Sequence, residues 1–226
     1  MNSFVFDTFL VEACVSPDYF NMTMRTFIAL EFPPTIHAQL ADAAQRLRSY
    51  LRSQRAPDCL RWAGLHNAHL TLRFLGDTTS VQARLLADAL ADIAQHQPPF
   101  ELMLGHIGAF PNVRQPRVLW LGVAGDVAPL HARQSAIEQR VTRIGFPAET
   151  RPFSPHITLA RANQRASRAD LRLLGQLVQE YAETIAQPQM SRFQVTELVH
   201  MQSQLQRGGA VHTPLGRFQF GASTKA

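Results

Sequence analysis

The sequence predicts an α+β fold: two lobes related by a pseudo-twofold axis, each with a mainly antiparallel sheet, helices on the outside and a central groove between them. Three observations carry this expectation. Short apolar runs bounded by Gly and Pro alternate with longer stretches of helical periodicity, the pattern of sheet and helix layers. The order strand, helix, strand, helix occurs twice. The second strand of each series carries nearly the same residues, His69-Leu70-Thr71-Leu72 and His156-Ile157-Thr158-Leu159.

The first strand is the apolar run RTFIALEF, closed by Pro33-Pro34. A helix over Thr35–Arg55 follows, with Ile36, Leu40, Ala43, Ala44, Leu47 and Leu51 on one face and Thr35 as its N-cap. LRWAG (Leu60–Gly64) and HLTLRFLG (His69–Gly76) read as strands, the second ended by Gly76-Asp77. Thr78 or Ser80 then caps a helix that runs to Gln95. FELMLGHIGAF (Phe100–Phe110) and RVLWLGV (Arg117–Val123) are strands joined by a Pro- and Asn-rich loop. The second series repeats the theme. Val127–Ile144 is a helix stopped by Gly145, HITLAR is a strand, and Ser167–Thr184 is a helix. RFQVTELVHMQS (Arg192–Ser203) and GRFQF (Gly216–Phe220) are late strands. The likeness of RTFIAL to RVLWLGV points to an internal duplication. Residues 25–221 therefore read as a single domain of two lobes and residues 222–226 as a loose tail. Residues 1–24 read as an extension outside the core, with Met22 or Met24 as candidate starts.

The 226 residues are enough to bury a sizeable core, and 46% are hydrophobic, as in ordinary globular proteins. The net charge of +5 comes almost wholly from arginine, Lys225 being the only lysine. A basic surface favours polyanions such as RNA without defining a site; a GC-rich genome gives the same arginine bias. Two cysteines, Cys14 and Cys59, are too few for a disulfide framework or a cysteine zinc site, so a cytoplasmic setting is expected. No apolar run is long enough for a membrane span. No dinucleotide or Walker loop or nucleophile elbow occurs, and the three-residue spacing of His66 and His69 would suit a metal only on a helix, whereas this stretch reads as a turn leading into a strand. Neither cofactor nor metal is expected.

In a strand, residues i and i+2 share a face. His69 and Thr71 therefore point one way and Leu70 and Leu72 the other, and the same holds for His156, Thr158, Ile157 and Leu159. Each copy offers an imidazole beside a hydroxyl. Two histidines in one cleft can supply a general base and a general acid near neutral pH. Phosphodiester cleavage needs both, with hydroxyls donating to the non-bridging oxygens. Arg161, near the end of its strand, can neutralise the charge that develops on phosphorus. A buried structural role explains the repeat poorly, since His-Thr pairs would need hydrogen-bond partners inside the core. His37, His96, His106, His131, His200 and His212 read as surface or packing residues.

These residues, in this order, resemble the 2H phosphoesterases, in particular the bacterial and archaeal RNA 2′,3′-cyclic phosphodiesterases also named 2′-5′ RNA ligases. RTFIAL, RW ahead of HLTLRFLG, GAFPN with RQPRVLWLGV, RPFSPHITLAR and a late glycine near Gly208 carry the resemblance. It implies metal-independent hydrolysis of 2′,3′-cyclic phosphate ends of RNA to 2′-phosphate ends. It assigns His69 as the acid for the 3′-oxygen and His156 as the base for water. Thr71, Thr158 and Arg161 become phosphate contacts. Phe27 becomes a groove residue that stacks on a base. The partners are RNA or nucleotides with a 2′,3′-cyclic phosphate, and a monomer is expected. One departure stands out: GGAVHTP places His212 where a tyrosine is usual. A 2′-5′ RNA ligase as the main role, or an RNA-binding module without turnover, are the competing readings.

Overall fold

The computed structural model describes residues 23–184, 192–206 and 209–221. The expectations for the first 22 residues and for the tail fall outside the described residues. The first strand, β1 (Thr23–Glu31), begins two residues before the boundary expected at residue 25, because Thr23 and Met24 pair with Thr79 and Thr78.

Among the described residues nine strands form two sheets, every pairing within them antiparallel. The first sheet joins β1 to β3 (His69–Thr79), β8 (Glu197–Gln206) and β9 (Gly209–Gln219), in the order β3-β1-β8-β9. The second contains β2 (Leu60–Trp62), β6 (His156–Ala162), β5 (Val118–Gly125), β4 (Phe100–Phe110) and β7 (Arg192–Val195), in the order β2-β6-β5-β4-β7. The duplication is visible in both: each motif strand pairs with the apolar strand that precedes it in its series, β3 with β1 and β6 with β5.

The α-helices among the described residues are α1 (Pro34–Ser53), α2 (Ser80–Gln95), α3 (Val127–Ile144) and α4 (Arg168–Thr184). They cross between the halves: α1 packs on α4, and α3 packs on α2 and against β3. One continuous core results, holding Leu30 and Leu70 of the first sheet together with Leu102, Leu119 and Leu159 of the second. A second cluster, Phe27, Ala29, Val199 and Met201, lies on the opposite face of the first sheet. Gly175 lets α4 touch the loop before β5, since a Cβ there would overlap the Val113 carbonyl.

Three expectations need correction. Thr35 is inside α1 and caps nothing; the chain enters at Pro33, with Pro at the first helical position, where its missing N–H is harmless. The cap of α2 is Thr79, not Thr78 or Ser80. Its hydroxyl accepts from the Gln82 amide while Gln82 accepts from the Thr79 amide, a capping box. Thr78 is buried against Thr26, hydroxyl to hydroxyl at 2.7 Å. Finally, the run Arg192–Ser203 is two strands in different sheets. Phe193 and Val195 face the core from β7, and at Thr196 the chain passes to the first sheet as β8.

Candidate active site

The two motif strands belong to different sheets, and their backbones approach within 8 Å of each other. Each carries the same irregularity. Between Thr71 and Arg73 the register against β1 slips by one residue, and between Thr158 and Ala160 the register against β5 does the same. The extra residue makes two successive side chains face the core, Leu72 with Arg73 and Leu159 with Ala160, all four buried. The next residue then returns to the face of the histidine. Strict alternation would turn residue i+5 away from residue i. The bulge instead puts Phe74 on the His69 face and Arg161 on the His156 face.

His69 and His156 are both half-buried, and both are held the same way. The Nδ1 of His69 lies 3.1 Å from the carbonyl of Asn67, and the Nδ1 of His156 lies 2.7 Å from the carbonyl of Ser154. A carbonyl only accepts, so Nδ1–H donates in each case and Nε2 is the nitrogen left to react. Thr71 and Thr158 are half-buried on the same faces, and neither hydroxyl has a protein partner among the described residues. Arg161 is exposed.

The surroundings of the two imidazoles differ. His69 is stacked on Phe27, ring centres 4.7 Å apart, and meets His212 edge-on at 5.0 Å. Burial pushes its pKa down to about 4; the Asn67 carbonyl and Glu31 oppose the shift and His212 adds to it. Burial also lowers His212. His156 is flanked by Phe110, edge-on at 4.8 Å, and by Trp120 at 6.5 Å. Trp120 lies flat over Gly108, where any Cβ would strike its ring.

Phe27 does not serve as a free stacking surface for a base. It is 1% exposed, and its ring is covered by His69, Phe74 and His212. It supports His69 from below. A neighbouring ring, Phe74, is 58% exposed and lies 5.7 Å from Phe27. The sequence contains a signal for it, the shared spacing of His69 to Phe74 and His156 to Arg161, but alternation alone assigns both residues to the wrong face. His212 belongs to the site as well. With Glu31, His37, His66, Asn67 and Met201 it lines a small cavity against His69. Among the described residues no three His, Cys, Asp or Glu side chains are grouped to hold a metal ion.

Behind the site a buried guanidinium links the motif strands. Arg73, 9% exposed, donates from Nε to Glu138 of α3 at 2.6 Å, and from its other nitrogens to the carbonyls of Phe74 and Pro147. Glu138 also accepts from the amide of Glu149 at 2.9 Å. Pro147 and Glu149 lie in the segment that leads from α3 to His156. The strand of the first histidine thereby grips the approach to the second.

Known proteins share this architecture. An RNA 2′,3′-cyclic phosphodiesterase of Aquifex aeolicus is 29% identical over 171 residues, 71% of this chain and 82% of that one. Its counterpart in Aeropyrum pernix is 32% identical over 149 residues, 66% of this chain and 80% of that one. The crystal structure of apo E. coli LigT superposes with a TM-score of 0.65 at 28% identity, covering 88% of this chain and 98% of LigT. That of the Thermus thermophilus protein TT0787 reaches 0.69 at 24% identity over 88% of this chain and 100% of that one, a likeness of fold. Residues 32–207 match the model of one family, well over half of the chain, and what the repeated strands suggested follows: the chain belongs to the 2′-5′ RNA ligase superfamily.

Proposed function

We propose that the chain is a metal-independent RNA 2′,3′-cyclic phosphodiesterase that leaves a 2′-phosphate, acting as a monomer through paired histidines. The observation that carries this reading is the twin anchoring of Nδ1, which leaves two Nε2 atoms of the same tautomer on the motif strands. The names of the related proteins support the same activity.

In this reading His156 Nε2 takes a proton from water as the water oxygen bonds to phosphorus. The bond from phosphorus to O3′ breaks, and His69 Nε2–H protonates O3′. The products are a 2′-phosphate and a free 3′-hydroxyl, and solvent exchange restores both imidazoles. Thr71 and Thr158 donate to the non-bridging oxygens, Arg161 neutralises the charge gathering there, and Phe74 stacks on the terminal base. Replacing water by a 5′-hydroxyl runs the same proton transfers toward a 2′-5′ linkage.

Burial sets a condition on His69. An acid must carry its proton, and a pKa of about 4 keeps this imidazole neutral at pH 7 in the free protein. An anionic phosphate beside it favours the charged form, so the proton is taken up with the substrate. The basic limb of kcat/KM, which reports free enzyme, is therefore expected at lower pH than the basic limb of kcat. Coincident limbs would argue that His69 is not the acid.

The decisive assay is hydrolysis, in EDTA, of a short RNA ending in a 2′,3′-cyclic phosphate, with the product phosphate located. Conversion to a 2′-phosphate, reduced at least about 10²-fold in His69→Gln and in His156→Gln, is expected. A 3′-phosphate product, or turnover only with added metal, would overturn the reading.

A further inference from the structure

The row of groove-facing residues that contains Arg161 extends one strand further. Across the second sheet, Phe110 pairs with Val118, Val118 with Arg161, and Arg161 with Arg61 of β2. Directly opposed residues in antiparallel strands share a face, with Cβ atoms about 5 Å apart. Arg61 therefore faces the groove beside Arg161, and both are exposed. Two like charges so placed repel. Some exposed arginines are compensated by carboxylates, Arg46 by Asp42, Arg140 by Asp92, Arg192 by Glu101, and Arg217 by Glu31 and Glu197, and others such as Arg84 and Arg172 are not; Arg61 and Arg161 differ from both in standing directly opposite each other on one face. Among the described residues neither Arg61 nor Arg161 has a carboxylate partner. An uncompensated pair of guanidinium groups on one face is an arrangement that an anion stabilises.

We propose that Arg61 binds the phosphodiester on the 5′ side of the terminal nucleotide, so that the groove takes an RNA chain ending in a cyclic phosphate in preference to a free cyclic mononucleotide. The inference rests on the function proposed above, in which Arg161 holds the reacting phosphate. Arg61 stands beyond Arg161 in the row, on the edge strand β2. The next phosphate of a chain leaving the site over that edge meets Arg61. A mononucleotide ends before reaching it.

The test compares 2′,3′-cyclic AMP with a trinucleotide ending in a 2′,3′-cyclic phosphate, using the full chain and its Arg61→Gln variant. The expected result is a wild-type kcat/KM that favours the trinucleotide by about tenfold or more, a preference that Arg61→Gln removes, since a charge-assisted hydrogen bond is worth about that factor. The salt dependence of trinucleotide KM is expected to lose about 0.7 of log–log slope, the share of one phosphate contact on a single strand. Equal loss on both substrates would place Arg61 on the reacting phosphate, and no loss on either would leave it outside the site; each overturns the proposal. If the wild type turns over neither substrate, the function reading fails separately. The subsite is then read from fluorescence anisotropy of a labelled trinucleotide ending in a 3′-phosphate. Weaker binding and a shallower salt slope in Arg61→Gln support the subsite, and unchanged binding overturns it.

Discussion

His69 and His200 are both pushed to a pKa of about 4 by burial, yet only His69 borders the groove. His200 is 2% exposed on the core face of β8, opposite Ile28, with its Nε2 lacking a partner. Its folded pKa lies below the ordinary value of 6.5, so the unfolded chain takes the proton first. Its contribution to stability is complete above pH 6.5 and is lost as pH falls from there toward about 4. His200→Leu keeps the volume and removes the titration. Unfolding free energies from urea titrations at pH 7.5 and 4.5 are expected to show the acid loss of stability smaller in the variant, by roughly 2 kcal/mol; an unchanged loss would mean that His200 does not titrate in this range. His69, Thr71, His156 and Thr158 could be read from alternation along two short strands. The burial of His69 could not, because it depends on Phe27, which comes from a strand distant in the sequence, and on His212, which comes from another.

The motif strand is longer and less regular than its four-residue signature. The bulge after each threonine carries no residue type that announces it, so the faces of Phe74, Arg73 and Arg161 emerge only from the pairing with β1 and β5. The crossing from β7 to β8 left a trace, the broken alternation at Thr196, which a long polar and apolar run disguises. The N-cap of α2 is readable in kind but lies one residue from either expected position, at Thr79, where Gln82 completes a capping box. Thr79→Ala is expected to lower stability by about 1 kcal/mol in chemical denaturation. Arg73 acts on a larger feature, the grip of β3 on the segment before His156. Arg73→Met leaves Glu138 without its partner, so unfolding free energy is expected to fall by about 3 kcal/mol, with Arg73→Met/Glu138→Met recovering part of it. If the double variant is no more stable than the single one, the ion pair is not the source of the loss. A misplaced His156 is also expected to lower kcat by about 10²-fold.

Because α1 and α3 each pack across to the other half, neither half holds a core of its own. A single cooperative unfolding transition is expected, with calorimetric and van't Hoff enthalpies equal. Two resolved transitions would contradict the shared core. Gly175→Ala presses α4 against the Val113 carbonyl and is expected to lower the transition temperature by several degrees, with an effect of about 2 kcal/mol. The α+β class could be read from local periodicity, and the duplication from the repeated residues of the motif strands and of the strands that precede them. The crossing of the helices could not, since helical periodicity marks the buried face without naming what covers it.

The slot that follows the bulge holds Phe74 in one copy of the motif and Arg161 in the other. In the proposed function, two imidazoles presented alike would by themselves accept a nucleotide in either orientation. There a ring at one end and a cation at the other bias that choice, because turning the substrate around takes the phosphate from the guanidinium and sets it on the phenyl ring. In that function the duplicated scaffold supplies matched chemistry, and one divergent position per copy gives the groove its polarity.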